Sequence, residues 1–109
     1  MTRAVATRIA TVRSCLLNQG LQVSGGTSPS SGQAAQGTPA GELVIVNGST
    51  PVFIGFYDEA ADARRQLHAA VEQARRHGGR VVRRGSTIVS WSGEPQRDLR
   101  RHVETCMVG

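Results

Sequence analysis

Hydrophobic positions fall into a few short, regular blocks along this chain. From Thr2 to Gln19, Val5, Ile9, Val12 and Leu16 recur at spacings of four, three and four, with Arg3, Arg8 and Arg13 on other faces. That period predicts an amphipathic helix. Gly20 follows as a stop, and Leu21-Gln22-Val23 alternates like a short strand leaving it. Residues 24–41 contain only Gly, Ser, Thr, Pro, Gln and Ala. With no charge and no large apolar side chain, this stretch has too little to bury to offset the entropy of ordering, and is read as a flexible Gly/Ser/Pro-rich surface loop inside a single domain spanning residues 1–109.

Beyond the loop the period shortens to that of strands. Leu43-Val44-Ile45-Val46 and Val52-Phe53-Ile54-Gly55-Phe56-Tyr57 are β-rich runs separated by Asn47-Gly48-Ser49-Thr50-Pro51, which supplies turn residues. They predict a hairpin apolar on both faces. Asp58 then opens a second helix running to His77, with Ala60, Ala63, Leu67, Ala70, Val71 and Ala74 as its stripe. Glu59 and Asp62 near its start and Arg75, Arg76 and His77 at its end complement the helix dipole, and Gly78-Gly79 ends it. A second hairpin follows, Arg80–Arg83 and Thr87–Trp91, turning at Arg84-Gly85-Ser86. Pro95 suits the first turn of a last helix whose Leu99, His102, Val103, Cys106 and Met107 share a face.

The predicted architecture is an α+β two-layer sandwich. Its four-stranded antiparallel sheet is built from two hairpins, each followed by a helix, with the helices packed mainly on one face plus the N-terminal helix. A chain of 109 residues has room for one modest core, so a covalent staple adds usefully to its stability.

Composition sharpens the picture in two respects. All thirteen basic residues are arginine, and Ala, Gly and Val are abundant, the usage of a GC-rich bacterial genome. The net charge of +5 would suit an acidic partner such as nucleic acid. Interleaved acids on the helices and the lack of any nucleic-acid fold motif disfavour that reading. No apolar run approaches the roughly 20 residues needed to span a bilayer, so a soluble domain is expected. The N-terminus lacks the apolar stretch of a secretory signal. Either the protein is cytoplasmic, or the sequence begins after a removed signal or anchor.

Few residues invite a chemical role. Cys15 and Cys106 lie at the C-terminal ends of the first and last helices, both beside stripe positions, so both should face one core. A disulfide closing that long loop would stabilise the fold by roughly 2–4 kcal/mol. Two buried free thiols are the alternative, with a metal or catalytic role behind both. His102 and Cys106 share a helix face at four-residue spacing, but only Cys15, His68 and His77 remain to complete a zinc set, and nothing fixes them nearby. No nucleophile elbow, phosphate-binding loop or His-Glu-x-x-His pair occurs. The expectation is a non-enzyme without cofactor. Arg75, Arg76, Arg80, Arg83 and Arg84 form one dense basic region, a candidate anion contact set against dipole capping and edge-strand solvation.

Cys-Leu-x3-Gly-Leu-x-Val from Cys15, Phe56-Tyr57-Asp58, Gly78-Gly79-x-Val-x-Arg-Arg-Gly, Val89-x-Trp91 and Val-Glu-x-Cys from Val103 together resemble small uncharacterised proteins of GC-rich Actinobacteria, many of them similar to exported or lipid-anchored proteins. The resemblance implies a secreted or cell-surface location and paired cysteines, and supplies no activity. The reading that follows is a non-catalytic binding or structural module of the bacterial exterior. It would use an apolar sheet face (Val44, Val46, Val52, Phe53, Ile54 and Tyr57) for self-association or an unknown protein partner. A cytoplasmic nucleic-acid-contacting regulator using the Arg75–Arg84 cluster is the alternative.

Overall fold

The computed structural model describes residues 3–25, 40–46, 51–93 and 96–107. In chain order the elements are α1 (Arg3–Asn18), β1 (Val23–Gly25), β2 (Gly41–Ile45), β3 (Val52–Phe56), α2 (Ala60–Arg76), β4 (Arg80–Arg84), β5 (Thr87–Trp91) and α3 (Arg97–Met107). The strands form one antiparallel sheet in the order β1-β2-β3-β5-β4. Chain connectivity explains that order. β3 leaves the centre through α2, which delivers the chain to the far edge at β4, and a hairpin then returns β5 between the two as a split βαβ unit.

Alternation along the strands divides the sheet into two faces. On the first, Leu43, Ile45, Val52, Ile54, Phe56, Val89 and Trp91 are buried beneath the α1 stripe of Val5, Ile9, Val12 and Leu16 and beneath Val103 of α3. On the second, Ile88 and Val81 meet Ala63, Leu67 and Ala70 of α2, with Tyr57 closing the end. The small alanines let this polar helix approach closely, yet only Ala63 of α2 is fully buried.

Two expectations are corrected here. The sheet has five strands, because Val23 continues into Ser24 and Gly25 and pairs with β2 from Val23↔Ile45 to Gly25↔Leu43. The helices occupy both faces, because β5 is apolar on both sides and α2 covers Ile88 while α1 and α3 cover Val89 and Trp91. Of the stretch 24–41, Ser24 and Gly25 lie in β1 and Gly41 in β2, and residues 26–39 lie outside the described residues. The Asn47–Thr50 turn and Pro95 also lie outside them.

Both longer helices that the glycines were expected to end close with a left-handed glycine. Gly20 (φ 84) and Leu21 donate to the Leu17 and Leu16 carbonyls at 3.0 and 3.2 Å. Gly78 (φ 69) and Gly79 donate to Arg75 and Ala74 at 3.4 and 2.8 Å. Gly79 carries a second demand, since a Cβ there would come within 2.1 Å of the Trp91 carbonyl oxygen.

Cys15 and Cys106 are joined in a disulfide with Cα atoms 5.6 Å apart and 91 residues of sequence separation, tying α1 to α3 over the first core. Alkylation of natively purified protein should therefore add mass only after reduction. Reduction should lower the unfolding free energy by about 2–4 kcal/mol, read as a fall in the denaturant midpoint.

Candidate functional site

Because α2 lies over β4 and β5, the β2–β3 half of the second face is left partly uncovered. Val44 and Phe53 pair across the two strands there, and Ser90 of β5 continues the row. Phe53 is 38% exposed at the centre of the sheet, and Val46, just past β2, is 46% exposed. Val52 and Ile54 point the other way, into the α1 core, and Tyr57 is buried against α2. The six-residue apolar face expected from sequence is thus divided, and Val44, Val46 and Phe53 remain.

Between that uncovered strip and the flank of α2 runs a cleft of about 630 Å³. Phe53, Ala70 and Ala74 give it apolar walls, and Glu42, Gln73 and His77 bring polar groups. Glu42 reaches it because β2 alternates, sending Leu43 into the core and Glu42 to the opposite side, opposite Gly55, which has no side chain to cover it. The carboxylate is half-buried and, among the described residues, has no arginine in ion-pair contact. Partial burial pushes its pKa above the ordinary carboxylate value. Burial, and then the Glu42 charge, raise that of Tyr57.

The opposite side of the sheet holds a second polar feature. Arg8 of α1 lies over the Phe56 ring, 5.5 Å from its centroid, donating to the Tyr57 carbonyl at 3.3 Å and to the Thr87 hydroxyl. Thr87 is the one fully buried polar residue among the described residues, and this guanidinium satisfies it. Partial burial lowers the Arg8 pKa.

The basic region that offered a candidate anion contact is divided between α2 and the two faces of β4. Arg80 and Arg84 pair with Trp91 and Thr87 on the α1 face, while Arg83 pairs with Ile88 on the α2 face and donates to the Gly85 carbonyl at 2.8 Å. Arg75 lies 3.6 Å from Glu72 on α2, and Arg76 is exposed in that helix's last turn. His102 holds Gln19 (Nδ1 to Oε1, 2.7 Å), and Cys106 is engaged with Cys15, so the four-residue spacing on α3 serves packing. Among the described residues no group of three His, Cys, Asp or Glu is placed to hold a metal ion, and no helix is long and apolar enough to cross a membrane.

Glu42 and Arg8 were not singled out from sequence, though each left a trace. Glu42 is the one acid inside a strand run otherwise apolar. Arg8 follows Val5 by three and precedes Val12 by four, which sets it on the flank of the buried stripe and not on a remote face.

No protein-family model, no curated protein and no solved structure matches this chain.

Glu42 gives a pH-dependent prediction. Its raised folded-state pKa means that the unfolded chain loses this proton first as pH rises. The contribution to stability is therefore full below the ordinary Glu value and is lost as pH climbs through the raised one. Glu42→Gln should melt at a higher temperature than wild type near pH 7, with the difference vanishing below about pH 4. Thermal melts of both proteins across that range check it.

Proposed function

We propose that this protein is a non-catalytic binding module of the bacterial cell surface or exterior. Its cleft beside α2 receives a protein segment that brings an apolar side chain next to a basic one. The observation that carries the reading is the half-buried Glu42, which has no ion-pair partner among the described residues, beside the exposed Phe53 in a chain with thirteen arginines. A carboxylate held partly out of water gains most from a partner that supplies its counter-charge. Phe53, Ala70 and Ala74 offer the apolar seat, and Gln73 and Ser90 supply groups able to hydrogen-bond a peptide backbone.

The disulfide supports the exterior location, since such bonds persist in oxidising compartments. A second copy of this chain is a poorer occupant than a foreign segment, because each copy carries +5 and the outer surface of α2 is charged. The regulator reading has less support, because Arg80 and Arg84 diverge from Arg83.

The experiment is an NMR titration with acetyl-Ala-Leu-Arg-amide against acetyl-Ala-Leu-Glu-amide. The arginine peptide should perturb the Phe53, Gln73 and Ser90 amides saturably. Glu42→Gln should weaken it about tenfold, the effect of losing a charge-assisted hydrogen bond. Equal response to both peptides, or no response at these amides, would overturn the reading. So would a concentration-dependent dimer in sedimentation velocity that Phe53→Arg dissolves.

A further inference from the structure

The α1 side of the sheet carries a second cleft, of about 620 Å³, bounded by α1, the C-terminal end of α3 and the β4–β5 turn. Two arginines reach it from different elements. Arg8 comes from the flank of the α1 stripe, and Arg84 from the last position of β4, where its pairing with Thr87 puts it on the same sheet face as Arg8's own hydroxyl partner. Thr11 adds a hydroxyl, while Val12, Phe56 and Met107 form apolar walls. No Asp or Glu lines the cleft, and among the described residues neither arginine is in a salt bridge.

We propose that this cleft binds a small monocarboxylic acid with a hydrocarbon body, its carboxylate held by Arg8 and Arg84 and its chain lying against Val12, Phe56 and Met107.

Four physical points support the assignment. A guanidinium has five N–H donors, and only the bonds to Tyr57 and Thr87 occupy Arg8 among the described residues, so its fork is already oriented with donors to spare. Those two bonds and the Phe56 ring fix the group before any ligand arrives, which removes much of the ordering cost of binding. Two like charges lining one cleft without an acid are relieved by an anion in it, and the planar fork matches a carboxylate bidentately. The apolar walls then distinguish an organic acid from a bare inorganic anion, whose hydration they cannot replace. Arg8 also satisfies the buried Thr87, so its removal tests folding together with binding. Arg84 is exposed, and its removal tests binding alone.

The decisive experiment titrates the intact, oxidised protein with 4-methylpentanoate, with its neutral amide 4-methylpentanamide, and with inorganic phosphate, followed by amide and arginine side-chain NMR shifts. The carboxylate should bind saturably at Thr11, Ser86 and the Arg8 Nε–H. Arg84→Gln should weaken binding about tenfold while leaving the melting temperature unchanged, and Arg84→Lys should restore part of the loss. Binding of the amide or of phosphate as tight as the carboxylate's would overturn the assignment, as would an affinity indifferent to Arg84→Gln. The readouts lie on the sheet face opposite Phe53, so this outcome is independent of the peptide titration.

Discussion

The packing of one helix on one half-sheet governs this molecule. Val5, Ile9, Val12 and Leu16 of α1 supply a single apolar stripe, and Leu43, Ile45, Val52, Ile54 and Phe56 supply the surface it covers. Burying such a side chain fully stabilises a fold by about 1.5–3 kcal/mol, and most of the largest buried residues belong to this one layer. The second layer, under α2, rests on two alanines and four larger side chains and is correspondingly thin. Removing α1 would leave β2 and β3 without a covered face, whereas α2 contributes mainly connectivity and the shelter of Ile88.

That inequality creates both clefts. A helix with an alanine stripe covers two strands and stops, so Phe53 stays at the surface and Glu42 only half submerged. On the other face the α1 layer fills the centre of the sheet and ends at the β4–β5 turn, beside the cleft that Arg8 and Arg84 line. The sheet thus carries on one side a carboxylate without an ion-pair partner among the described residues, and on the other a cleft lined by two guanidinium groups. They are separated by a layer of buried hydrocarbon that keeps either group from neutralising the other.

The legible part of this architecture was whatever rests on period. The helical stripes, both hairpins, the glycine stops and the facing of Cys15 and Cys106 all follow from apolar spacing and turn residues, and the structure has them at nearly the expected bounds. What period alone does not give is which face a helix takes. Strands apolar on both sides, as β5 is at Ile88 and Val89, accept a helix on either, and the choice is made by the crossover that α2 must perform to reach the sheet edge. The basic run from Arg75 to Arg84 shows the converse. Residues adjacent in sequence on a strand point to opposite sides, so Arg83 parts from Arg80 and Arg84, while Arg8 and Arg84, far apart in the chain, line one cleft.

The cystine also decides how the domain would respond to force. Tension applied through the segments before Cys15 and after Cys106 passes directly across the sulfur–sulfur bond, by-passing the 91 residues of separation between them. The strands and the cleft beside α2 then lie off the line of pull, whereas the part of α1 before Cys15, with Arg8 and its cleft, lies on it. A stretched copy would load the first three turns of α1 at once, and the strands between the cysteines only after the bond was reduced.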